Sequence, residues 1–287
     1  MAQRGAPLSP MQPKHLQLLI NLGGALLGVL IIAYIANAAW HKDAAEPCSA
    51  RYPGASRFSL QTSEGKPLTA IELQARAGLR EMGVIDNASV VAAPGGPAPE
   101  ALEVKLRPLP AGADPEATAR NGIAFDWAPS GLESATAACL SYSVWLPDKF
   151  VFGRGGKLPG IFGRQGAQVP QQGKAFSVSP QWGANGTPLV GATLEGGDIR
   201  RMSGNTVPLP TNRWVKIEQE VTLNEPRKAN GSVRLWIDGA LAVEDTQVPL
   251  RTDAKTVLAG VLAAVGYSQR PEQPGVLRLS PFEIGWR

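Results

Sequence analysis

An all-β antiparallel sandwich is the fold class this sequence predicts, and three observations predict it. Thirty-two Gly and twenty-five Pro in 287 residues supply turns at a density that suits short strands better than long helices. Several stretches alternate apolar and polar residues, the period of a strand with one buried face. Asp238-Gly239, set between two such stretches, is a strong hairpin signal. Hydrophobic residues at 44% and charged residues at 18% fit a globular chain, long enough for one large sandwich or two small domains.

The N-terminal part reads differently. From Leu16 to about Ala39 the chain is uncharged and mostly apolar, and a helix needs about 20 such residues to cross a bilayer. Residues 16–39 are therefore expected to form a transmembrane anchor. Ala36-Asn37-Ala38 resembles a cleavage site and leaves removal of the segment open. Arg4 and Lys14 precede the span, whereas Lys42 after it is balanced by Asp43 and Glu46. That asymmetry places residues 1–15 in the cytoplasm and the rest outside. Tyr34 and Trp40 suit the outer interface, and Gly24 and Gly28 form a small-xxx-small pair through which two helices could touch. The Ala, Gly and Pro content reads as bacterial, so the expected address is the inner membrane, single pass, with the domain periplasmic. Cys48 and Cys139 then both lie in an oxidising compartment, where a disulfide is expected and a pair of free thiols is the alternative. Two cysteines fit no metal framework, and neither a metal nor a cofactor is expected.

Residues 40–57 read as a tether and 58–287 as the sandwich. Thr69-Ala70-Ile71-Glu72 is a capping box, and Ile71, Ala75, Leu79 and Met82 recur at helical spacing, predicting one short added helix. In Phe176–Trp182, alternation puts Phe176, Val178 and Trp182 on one face and Ser177, Ser179 and Gln181 on the other. Val215, Ile217, Val221 and Leu223 alternate with polar residues. Val233, Leu235 and Ile237 do the same, with Arg234, Trp236 and Asp238 on the outward side. A closing strand is expected from Val276 to Phe282, extending toward Trp286. One polar face per strand predicts a solvent-facing sheet. The net charge of +4 and pI near 9.2 favour an acidic partner. No Lys/Arg-rich block or zinc spacing is present, which argues against nucleic acid.

The most informative stretch is Gly155-Gly156-Lys157-Leu158-Pro159-Gly160, which follows the strand-like Leu140–Leu146. By spacing alone it is a tight connection carrying a solvated lysine. The run LSYSVWLPDKFVFGRGGKLPGIFG, however, resembles the core signature of family 14 polysaccharide lyases, which act on alginate and glucuronan and are built on a concanavalin-like jelly roll. FSVSPQWGANG from Phe176, WVKIEQEVTLN from Trp214, NGSVRLWIDG from Asn230 and the terminal SPFEIGW resemble further strands of the same family, in the same order.

The resemblance implies β-elimination on a uronate polymer. Removing the proton α to the carboxylate builds charge there, so a cation at that carboxylate stabilises the transition state more than the ground state. A base must reach the carbon and an acid must protonate the departing oxygen. Lys157 matches the family's lysine and Ser177 its strand serine, the two catalytic candidates. The family arginines fall on Ser179 and Gly183, and a tyrosine pair falls by approximate alignment on Val190 and Ala192. Ser179, Gln181, Arg164, Arg200 and Arg201 are the candidate substrate contacts, the arginines as replacements for the lost charge. Two readings follow: a membrane-anchored protein that binds or scaffolds an acidic polysaccharide with degenerate chemistry, or an active lyase using Lys157.

Overall fold

The computed structural model describes residues 23–25, 27–32, 46–52, 56–78, 80–108, 121–166, 173–204, 207–268 and 273–287. The chain divides into two units, 1–45 and 46–287. In the first, residues 23–25 and 27–32 are helical; most of the expected 16–39 span lies outside the described residues. No helix among the described residues is long and apolar enough to cross a membrane.

The second unit is a sandwich of two antiparallel sheets. Its strands are β1 (Ser56–Phe58), β2 (Ala88–Ala92), β3 (Glu100–Leu106), β4 (Asp126–Trp127), β5 (Ala137–Trp145) and β6 (Gly156–Lys157). There follow β7 (Gly160–Gln165), β8 (Phe176–Trp182), β9 (Pro188–Thr193), β10 (Ile199–Ser203), β11 (Trp214–Thr222) and β12 (Gly231–Ile237). The last are β13 (Ala240–Val248), β14 (Thr256–Leu262), β15 (Gly266–Tyr267), β16 (Gly275–Leu279) and β17 (Phe282–Trp286). One sheet runs β13-β12-β11-β5-β16-β3-β2, with β17 joining β5 to β1. The other runs β10-β9-β8-β7-β14-β4, with β6 pairing both β8 and β15.

Alternation decides what lies between the sheets. Phe176, Val178 and Trp182 of β8 are buried against Leu140, Tyr142 and Val144 of β5 and Val215, Ile217 and Val221 of β11 within one core. Phe58, Phe125, Tyr142 and Phe282 form an aromatic cluster at one side, with centroids 5.2–6.5 Å apart. Phe150, Trp182 and Tyr267 form another. Gln219 also points inward and is fully buried; its Nε2 donates to the Val178 carbonyl at 3.2 Å, bracing β8 from behind. The β12–β13 turn takes left-handed angles at both Asp238 (φ 49°) and Gly239 (φ 80°), the geometry the dipeptide predicts.

Four expectations need correction. Thr69 and Glu72 do form the capping box, but the helix is Ala70–Ala77 and ends at Gly78. It buries Leu73 and Ala77, leaving Ile71 74% exposed, because the domain meets the other side of the helix. A second short helix, Val84–Asn87, follows. The closing strand is two strands: Pro281 has no N–H to offer a ladder, and at Ser280–Pro281 the pairing with β5 shifts register by one residue while the outer neighbour changes from β3 beside β16 to β1 beside β17. Trp236 is not outward in solvent but 0% exposed. The stretch read as a tether is the reason.

Residues Cys48–Tyr52 lie across the outer face of the larger sheet, where a solvated surface was expected. Cys48 is disulfide-bonded to Cys139 of β5, with Cα atoms 5.7 Å apart. Closing a loop over 91 positions is worth about 4–5 kcal/mol in the chain-entropy model. Arg51 meets Glu220 through both guanidinium nitrogens at 3.0 Å, Tyr52 Oη donates to the same carboxylate at 2.6 Å, and Arg234 reaches it at 3.2 Å. Ser49 N donates to Glu218 at 3.0 Å, and Lys216 lies 3.3 Å from it. The Arg51 guanidinium also sits 5.9 Å from the Trp236 ring. Burial raises the Glu220 pKa, but hydrogen bonds from Arg51, Tyr52 and Arg234 outweigh it and hold the carboxyl below its usual range.

A carboxyl depressed in the folded state contributes stability above its unfolded pKa and loses it as pH falls through the folded value. Wild-type protein should therefore lose stability progressively as pH drops below the ordinary carboxylate range. Glu220→Gln should cost about 2 kcal/mol at neutral pH and flatten that acid limb, as read by urea unfolding at several pH values. An unchanged acid limb would show that this cluster does not set it.

Candidate functional site

The cleft is built from the glycine-framed segment outward. Gly156 pairs with Trp182 and Lys157 with Gln181 across β6 and β8, while on the other side they face Tyr267 and Gly266 of β15. Each neighbour has a job. Gly155 adopts φ +120°, a conformation side chains rarely tolerate. Gly156 lies flat on the Trp182 indole: a Cβ there would stand 1.9 Å from the ring. The indole cannot retreat, since it is 1% exposed and its Nε1 donates to the Phe152 carbonyl at 2.9 Å. Leu158 is buried, its N–H donating to Pro180 O at 2.9 Å, and the Pro159 carbonyl accepts from Tyr142 Oη at 3.0 Å. Only Lys157 of the segment is exposed.

Lys157 lines a cleft of about 400 Å³ together with Ser177, Ser179, Gln181, Thr193 and Arg201. The strand register explains the grouping. Ser177 stands opposite Thr193 and Ser179 opposite Gly191, with Ile199 and Arg201 the next residues across on β10. The far wall, which includes Leu262, Val265, Gly266, Tyr267 and Ser268, carried no motif and was not legible from sequence. Asn121 fixes that wall: its Nδ2 donates to Tyr267 O at 3.0 Å, and its Oδ1 accepts from Tyr267 N at 3.1 Å.

Among the described residues, the cleft lining contains two cations, Lys157 and Arg201, and no carboxylate. Neither cation makes an ion pair with the described residues. Of the other two arginines, Arg200 is excluded by parity. It sits opposite Ala192, on the side of β10 that faces the other sheet, and pairs with Asp245 at 2.6 Å and Gln247 O at 3.1 Å. It closes the edge of the sandwich. Arg164, opposite Val257 near the end of β7, is not among the lining residues.

Val190 and Ala192, the positions assigned to a tyrosine pair, point into the core at 0% and 1% exposure. The outward residues of β9 are Leu189, Gly191 and Thr193, none with a phenol. The three described tyrosines all have their hydroxyls committed: Tyr52 to Glu220, Tyr142 to Pro159 O, and Tyr267 to Val151 O at 2.8 Å. Burial pushes Tyr267 up to about 12 and Tyr142 well above the ordinary phenol value. Tyr267 borders the cleft, yet its ring stacks on Phe150 and meets Trp182 edge to face. It is a wall.

A sequence model of the family described as polysaccharide lyase 14 matches residues 100–194 and 201–267. The chain belongs to that family. The match takes in the Lys157 segment and the strands of the smaller sheet except Ile199 and Arg200 at the start of β10. No curated protein matches the chain at a significant level. Among solved structures, the PL-14 alginate lyase of Aplysia kurodai is similar at 22% identity, over 73% of this chain and 90% of that one, with a TM-score of 0.55. Alginate lyase vAL-1 from Chlorella virus gives 16% identity, 76% and 97% coverage and a TM-score of 0.59. The endo-β-1,4-glucuronan lyase of Trichoderma reesei gives 13%, 74% and 90%, and 0.52. At these identities the likeness is one of fold.

Gly156→Ala should lower stability by about 1–3 kcal/mol, because the new methyl group overpacks a fixed indole. Thermal unfolding checks it, with Gly173→Ala as the control, since a Cβ there meets nothing within 4 Å. Equal melting temperatures for the two variants would sink the account of this segment.

Proposed function

We propose that the domain binds an acidic, uronate-type polysaccharide along this cleft and that its elimination chemistry is degenerate. The observation that carries the proposal is the lining itself: among the described residues it has cations and hydroxyls, no acid, and no phenol free to move a proton. An uncompensated ammonium and guanidinium in one cleft attract a polyanion, and Ser177, Ser179, Gln181 and Thr193 offer hydrogen bonds to sugar hydroxyls. Lys157 is the primary contact. The family's activity supports the substrate class, while fold alone does not carry its chemistry across.

The active-lyase reading rests on Lys157 and Ser177, both present in the cleft. Elimination would then need Lys157 to serve where the family also uses phenols. Lys157→Ala should weaken binding of alginate or glucuronan about tenfold, and wild-type binding should fall with added salt. Ultraviolet absorbance of unsaturated uronates, followed with the same polymers, separates the two readings: product formed by wild type and lost in Lys157→Ala establishes the lyase. Binding unaffected by salt and by the substitution would end the polyanion reading.

We further propose that the apolar stretch 16–39 holds the protein in the bacterial inner membrane with the domain in the periplasm. Its length and flanking charges support this, as does the Cys48–Cys139 disulfide. Protein sequencing should find residues 16–39 in the membrane fraction; a mature N-terminus near Ala39 on a soluble protein would refute it.

A further inference from the structure

Resting on the polysaccharide reading, we propose that Arg201 is a second carboxylate-binding cation, so that the cleft recognises a run of acidic sugars and not a single one. Arg201 is exposed, lines the cleft and makes no ion pair with the described residues. Its strand is not loose: the adjacent Arg200 ties β10 to β13 through Asp245 and Gln247, fixing where Arg201 stands.

The row it occupies is informative. Ser179, Gly191 and Arg201 are cross-strand partners on β8, β9 and β10. Between the serine and the arginine, Gly191 has no side chain, and the Gln181 amide lies over it, 2.1 Å from where a Cβ would be. That amide therefore fills the place of a side chain between the two cations and offers hydrogen bonds to an extended ligand. Ile199, 76% exposed on the same face of β10, adds an apolar patch for the C–H face of a sugar ring beside the guanidinium.

Spacing sets the size of the ligand. From β6 across β8 and β9 to β10 is three strand separations, about 14 Å at roughly 4.8 Å each. Strand side chains stand roughly perpendicular to the sheet, so Lys157 and Arg201 stay apart by a comparable distance. Held upright, the two do not share one pyranose carboxylate. A chain with carboxylates on separate rings can reach both, the far one taken by the guanidinium fork.

The test is calorimetric titration with oligouronates graded from the monosaccharide upward, using wild type, Arg201→Ala and Arg201→Lys. Affinity of wild type should rise in a step at the length that first spans both cations. Arg201→Ala should abolish the step, costing about tenfold for long oligomers and nothing for short ones, and Arg201→Lys should restore part of it. Because the side chain is exposed, unfolding curves of all three should coincide. A step that survives Arg201→Ala, or an equal loss at every length, overturns the inference and leaves polysaccharide binding through Lys157 standing. No affinity of wild type for any length overturns both.

Discussion

The contact of Gly156 with the Trp182 indole is the constraint on which the cleft depends. It lets the two-residue strand β6 come down onto β8, and from that pairing Lys157 inherits its place beside Gln181. The indole is itself held by the Phe152 carbonyl and by the rings of Phe150 and Tyr267. Tyr142 reaches through the core to the Pro159 carbonyl, and Gln219 reaches to Val178. Both come from strands of the opposite sheet. The cleft surface is thus fixed by polar bonds made inside the sandwich, where each is shielded from water and costly to leave unmade.

The same packing accounts for the position of Lys157. A glycine-framed segment fixed by an aromatic floor preserves the lysine's position without reference to its chemistry. The outward positions on β8 and β9 differ in this respect: Thr193 is exposed, whereas Ser179 packs against Gly160 and Gly191 against the Gln181 side chain. A fold held in this way does not by itself fix a reaction.

Much of this was legible in the sequence, and the gaps have physical reasons. Alternation gave the two faces of β8 correctly, because Phe176, Val178 and Trp182 leave no other face for the core. It misjudged Trp236, Glu218 and Glu220, since a covering segment from a distant part of the chain turns an outer face into a buried one. The capping box at Thr69 and Glu72 is local and was readable; which side of the helix meets the domain is a tertiary choice, and Ile71 ended in solvent. Among the arginines, only parity on an edge strand separates Arg200 from Arg201, and parity needs the register. The 262–268 wall is shaped by Asn121 from far away in sequence, a relation no spacing reveals.

The segment Cys48–Tyr52 has a mechanical consequence. Cys48 is bonded to β5, an interior strand flanked by β11 on one side and by β16 and β17 on the other. Tension arriving along the chain from before Glu46 passes through that covalent bond into the middle of the larger sheet. It bypasses the three-residue β1, which would otherwise be the first strand to peel away. The load enters on the face opposite the cleft and is carried by β5 and its neighbours together, away from the strands that hold Lys157.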